Sequence, residues 1–239
     1  MIEIRKHLDR SHANHGWLDS YHTFSFADYH DPAHMGFSSL RIINEDRVAP
    51  GAGFATHGHK DMEIITYVLE GALEHKDSME TGSVIHQGDL QMMSAGTGIR
   101  HSEFNHSKSD LVHFLQIWIV PNQKHVQPRY QQAHFSAAEK RGRLRLIISP
   151  DGEQGSLSVY QDVWAYAGLF DSNESAVLAL DSGRHGYVHI ARGSVEVNGF
   201  RLSEGDGARV RSEQTLTFTA GQNAEVLVLS LRPHELPEM

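Results

Sequence analysis

The chain has 239 residues, 39% of them hydrophobic and 21% charged, with a formal net charge of -9 and no cysteine. That length suffices for one large domain or two small ones, each burying its own core. The acidic balance and the absence of any basic run argue against direct nucleic-acid binding, and without cysteine any metal must be held by nitrogen and oxygen.

The first residues, MIEIRKHLDRSHANHGW, contain no apolar core of signal-peptide length. No stretch is long and uncharged enough to span a bilayer, so a soluble cytoplasmic protein without membrane contact is expected. An irregular, aromatic- and His-rich segment follows from Ser11 to Met35, with its histidines packing against Trp17, Tyr21, Phe24 and Phe26. Short strand-like runs separated by Gly, Pro, Asn and Asp then recur. In the first half they are Ser38 to Ile43, Met62 to Leu69, Ala72 to Lys76, Ser83 to His86, Leu90 to Ser94 and Val112 to Val120. The last, VHFLQIWIV, is apolar almost throughout, which predicts a central strand buried on both faces, with Trp118 in the core beside Met92 and Met93.

Pro121 to His134 is polar, carries two prolines and reads as a linker. This divides the chain into domains over 1–133 and 134–239. Ser136 with Glu139 three residues later opens a short linker helix. Strand-like runs resume at Leu144 to Ile148, Leu157 to Gln161, Val163 to Leu169, Ala176 to Leu180, Tyr187 to Ala191, Ser194 to Val197, Ala208 to Val210, Leu216 to Thr219 and Glu225 to Leu231. YVLEGALEHKD and VHIARGSVEVNG share a strand-turn-strand layout, a weak internal duplication. The expected fold is all-β.

Two short pairs carry the chemistry. His57 and His59 have one residue between them, as do His101 and Glu103 in SAGTGIRHSEF. On a strand, residues two apart point to the same face, so the pairs can converge as three imidazoles and one carboxylate around a transition metal. Glu63 also lies an even number of residues from His59, so parity alone leaves it a rival to Glu103, or an acceptor that orients an imidazole N–H from behind. Phe54 is a candidate for the mouth of the site and for contact with substrate. No Gly-x-Ser-x-Gly elbow and no phosphate-cradling Gly-rich loop is present.

The segments HANHGWLDSYHTFSFADYHDP, THGHKDMEIITYVLEG, MSAGTGIRHSEFN and LQIWIVP resemble the pirin family, a bicupin branch of the cupin superfamily. Gly51, His57 and His59 match the first cupin pattern. The second begins at Gly88, with Ser94 where the wider superfamily has Pro. The resemblance implies two jelly-roll barrels packed face to face, the N-terminal one binding metal through His57, His59, His101 and Glu103 and the C-terminal one degenerate, without metal. It implies iron first among Fe, Cu, Ni, Mn and Zn. It further implies quercetin 2,3-dioxygenase chemistry on a small aromatic substrate with O2, in which Glu103 takes the proton of a flavonol 3-hydroxyl, the heterocycle opens and CO leaves. The alternative is a redox-responsive protein-interaction module of the pirin type, with a protein partner and no turnover; a third is a zinc isomerase or hydrolase. A monomer is expected.

Overall fold

The computed structural model describes residues 1–233. The chain forms two compact units: one of Ser11–His134 with Val159–Gln161, the other of Met1–Arg10, Phe135–Ser158 and the chain from Asp162 onward. The chain passes from one unit to the other between His134 and Phe135, and the first ten residues go with the second unit. Ile2–Arg5 is a strand paired antiparallel with Gly207–Val210, Ile2 opposite Val210. Among the described residues no helix is long and apolar enough to cross a membrane.

The Ser11–His134 unit is built from two antiparallel sheets. The seven-stranded sheet runs in the order Arg129–His134, Asp89–Ser94, Glu63–Glu70, Val112–Ile119, Leu40–Val48, Leu18–His22, Ser11–Asn14. The four-stranded sheet runs Gly53–His59, Ile99–Asn105, Ala72–Asp77, Gly82–His86. Val112–Ile119 is central, flanked by Glu63–Glu70 and Leu40–Val48, as its apolar run predicts. Leu18, Val48, Val68, Leu73, Ile85, Val112 and Phe114 form the core at one end. Met92 and Met93 are fully buried.

Two expectations for this unit fail. The segment 11–35 is not irregular throughout, since Ser11–Asn14 and Leu18–His22 pair with each other and extend the large sheet. Nor is all of 121–134 a linker: Arg129–His134 pairs with Asp89–Ser94. Ser11–Asn14 and Arg129–His134 are the two edge strands of this sheet, and a sheet edge needs no apolar alternation.

The second unit carries nine strands in one connected sheet. Its axis is two long strands, His185–Val197 and Thr215–Leu231, paired along their length. Val188, Ile190, Val195, Val197, Phe218, Val226 and Val228 form its core, with Phe170 stacked on Phe218 at 5.8 Å between ring centres. Each long strand was expected as two. The break read at Arg192-Gly193 is a bulge: Gly193 has φ +63°, and a Cβ there would lie 2.3 Å from the carbonyl oxygens of Gln222 and Asn223. The helix at Ala137–Lys140 is present, within this unit, with Ser136 as N-cap and Glu139 closing a capping box.

Candidate metal centre

The strand Ile99–Asn105 turns Ile99, His101, Glu103 and Asn105 inward, all buried, and Arg100 and Phe104 outward. Three polar side chains on an inward face are costly unless something satisfies them. On one side this strand pairs with Gly53–His59, placing His101 opposite His57 and Ile99 opposite His59. The register then slips, so that Glu103 faces Phe54. On the other side, the pairing with Ala72–Asp77 is regular, with Asp77 opposite His101 and His75 opposite Glu103. The extra residue therefore belongs to Gly53–His59, and the inward alternation of His101 and Glu103 is undisturbed.

His57, His59 and His101 converge as their spacing predicts: their donor nitrogens lie within 4.8 Å of one another. His57 donates from Nδ1 to the Ala55 carbonyl at 2.8 Å, which leaves its Nε2 a bare lone pair. That Nε2 faces Nε2 of His101 at 3.0 Å. Two nitrogens bound about 2.0–2.1 Å from one ion at a right angle would stand about 2.8–3.0 Å apart. Nε2 of His59 is buried and has no hydrogen-bond partner. Burial, reinforced by the neighbouring imidazoles, lowers the pKa of His59 to about 4 and of His101 to about 3. Both rings are neutral at pH 7, the form that ligates. A divalent ion fits these donors.

Glu103 is buried beside them and forms a second, overlapping cluster with His101 and His75, again within 4.8 Å. Thr66 Oγ1 donates to its carboxylate at 3.3 Å. Glu63 is excluded from the site. It accepts from Ser94 Oγ at 2.9 Å and from the Tyr160 N–H at 3.3 Å, and from no imidazole. Burial raises its pKa to about 6. Even spacing misled here because the chain breaks at Lys60–Met62, where Asp61 has φ +47°, and resumes in the other sheet. There Thr66 points to the site, and Glu63, three residues away, points to the opposite face.

A cavity of about 570 Å³ opens onto His57, His59 and Glu103. Its walls include Trp17, Phe26, Phe54 and Trp118. Phe54 thus lies where expected, edge-on to Trp17 at 5.3 Å. Trp118, read as core, packs against the buried cluster of Ile64, Met93, Ala95 and Ile99 and also lines this cavity, 4.9 Å from the His59 ring centre. The reason is its parity with Gln116 on a strand whose face passes from core at Val112 and Phe114 into the cavity. Ser20, His22, Asn44 and Asp46 make a polar wall, and His15 joins them. Two of the N-terminal histidines therefore face the cavity. Burial pushes the Asp46 carboxyl up to about 7, against the hydrogen bond it accepts from Ser20 Oγ.

Sequence reasoning passed over Asp46, Gln116, Thr66 and His75. For Asp46 a signal exists: Asn44-Glu45-Asp46-Arg47 is a polar run directly after the apolar pair Ile42-Ile43. For His75 the signal is the same as for the ligands, since His75 and Asp77 are a third pair two residues apart.

The pirin family model matches residues 4–119, and the model of the quercetinase C-terminal cupin domain matches residues 146–231. The chain is 47% identical over 233 residues to the quercetin 2,3-dioxygenase of Escherichia coli (strain K12), covering 98% of this chain and 100% of that protein. It is 38% identical over 227 residues to a pirin-like protein of Caulobacter vibrioides, covering 94% and 97%. The crystal structure of the bacterial pirin YhhW from Escherichia coli in complex with nickel(II) superposes with a TM-score of 0.93 at 46% identity, covering 98% of this chain and 100% of that one. The all-β, two-cupin fold class is that of these relatives.

Proposed function

Because the chain belongs to the pirin family, we propose that it is a metal-dependent dioxygenase opening the heterocycle of flavonols such as quercetin with O2 and release of CO. The metal is held in the Ser11–His134 unit by His57, His59, His101 and Glu103, and the second unit holds none. The observation that carries this reading is the facing of His57 and His101 Nε2 atoms at 3.0 Å, with His57 lining a cavity that has both aromatic and polar walls. Relatives named as quercetin 2,3-dioxygenases and a nickel-bound pirin support it. Iron is the proposed native ion, although nitrogen and oxygen donors of this kind accept several divalent metals.

When bound, the ion supplies an open coordination position and redox chemistry with O2 beside a substrate oxygen. The chain's own residues do the rest. The volume lies within the roughly 300–1,000 Å³ of small-molecule sites, and Trp118, Phe26 and Phe54 offer flat apolar walls to a planar ring system. Glu103 takes the proton of the 3-hydroxyl, held in position by Thr66 and Gln116. Ser20 and Asp46 hydrogen-bond to hydroxyls at the far end of the substrate. Phe54 closes the mouth.

Purified protein loaded with Fe, Ni, Cu or Mn should consume quercetin and O2 together. If no metal form turns over faster than a His57→Ala, His59→Ala double variant, the dioxygenase reading is wrong. Metal-dependent capture of a protein partner without turnover would then favour the interaction module.

A further inference from the structure

We propose that Asp77, His75 and His101 form a hydrogen-bonded relay ending on a metal-binding imidazole, so that His75 is a positioning residue that sets the tautomer and basicity of His101. The inference rests on the metal reading above and adds a residue to it. His75 and Asp77 sit two apart on the strand Ala72–Asp77, and both side chains are fully buried. The His75 ring packs on Tyr130 at 4.9 Å and lies 5.4 Å from the His101 ring, centre to centre.

The protons decide the arrangement. Asp77 Oδ1 accepts the N–H groups of Met79 at 2.8 Å and Thr81 at 3.1 Å. Its Oδ2 faces Nε2 of His75 at 2.9 Å. A carboxylate only accepts, so His75 carries a proton on Nε2, and as a neutral ring it keeps a lone pair on Nδ1. That Nδ1 is buried and has no partner. His101, to bind metal through Nε2, must carry its own proton on Nδ1, and that atom too is buried without a partner. One ring offers an unused acceptor and its neighbour an unused donor, and a ring nitrogen of one lies within 4.8 Å of a ring nitrogen of the other. Under the proposal, His101 Nδ1 donates to His75 Nδ1, which satisfies both atoms. A carboxylate behind an imidazole raises its basicity and fixes its orientation, and such partners are worth about 10–100-fold in metal affinity.

The competing arrangement has His75 donating from Nδ1 to Glu103, which requires a proton on both ring nitrogens. Asp77→Asn separates the two. Because Oδ1 holds two backbone N–H groups, the new amide must put its oxygen there and its NH2 toward His75. His75 then becomes an acceptor at Nε2 and a donor at Nδ1. Donor would meet donor at His101, whereas a bond to Glu103 would survive.

The test uses the full chain with zinc as a diamagnetic probe, reading imidazole tautomers by long-range 15N NMR and affinity by chelator competition. The wild type should show His75 protonated on Nε2 and a slowly exchanging proton on His101 Nδ1. Asp77→Asn should invert the His75 tautomer and weaken zinc binding about 10–100-fold. His75→Phe should weaken it similarly, and His75→Asn, which keeps an acceptor near the Nδ1 position, should restore most of it. Zinc binding unchanged in Asp77→Asn, or equal losses in His75→Phe and His75→Asn, would overturn the relay alone. A wild type that takes up no zinc would overturn the relay and the metal reading together.

Discussion

The side-chain amide of Gln116 donates to both carboxylate oxygens of Glu103, at 3.3 Å each. It holds the carboxylate from the side of the large sheet together with Thr66, whose Oγ1 the same amide also reaches at 3.2 Å. Gln116→Leu keeps the size and removes the donor. We expect metal content to persist and kcat for quercetin to fall about 10-fold or more, as for other outer hydrogen-bond partners of a metal site. Metal analysis beside steady-state kinetics checks this; an unchanged kcat would show that Glu103 needs no such support.

Gly53 permits the close approach of its strand to Ile99–Asn105. A Cβ there would lie 2.3 Å from the carbonyl oxygen of Glu103. Gly53→Ala must push the two strands apart, which separates His57 from His101. The expected outcome is a loss of roughly 1–3 kcal/mol in stability, read by denaturant unfolding, together with weakened metal binding.

Asp46 gives a pH dependence with a definite sign. Burial raises its pKa from 3.8 to about 7, so between those values the folded protein binds more protons than the unfolded chain. Stability contributed by the neutral carboxyl is present in acid and lost as pH rises toward 7. Metal-free Asp46→Asn keeps an oxygen for Ser20 and removes the titration. Its stability relative to wild type should therefore improve by on the order of a few kcal/mol between pH 4 and pH 8. Urea midpoints at the two pH values decide the matter, and parallel profiles would refute it.

Trp118 stands nearly perpendicular to the His59 ring, at 85°, and lines the cavity. Trp118→Leu should raise KM for quercetin several-fold, an apolar contact of about 1 kcal/mol, with metal content unchanged. Kinetics on the metal-loaded variant test it. An unaltered KM would place the substrate elsewhere.

Much of this was legible in the chain because its signals are local. His57 with His59, and His101 with Glu103, announce themselves by strand parity, and Ser136 with Glu139 by the cap they form. What escaped depends on pairings far apart in sequence. Asp46 matters only because Leu40–Val48 lies beside Leu18–His22 and exposes one face to the same cavity. Glu63 went astray because parity counts only within one strand, and the turn at Asp61 restarts the count. Gly193 reads as a turn, yet its φ is equally compatible with a bulge, and only the partner strand distinguishes the two.

The pairing of Ile2–Arg5 with Gly207–Val210 bears on biosynthesis. Ile2–Arg5 waits for a partner about two hundred positions downstream, and closing so long a loop is slow. Residues Ser11–His134 hold nearly all of their own unit and have no such wait, apart from the late addition of Val159–Gln161. During translation the half carrying the four proposed ligands can assume its shape first, while Ile2–Arg5 stays unpaired until Gly207–Val210 has been made.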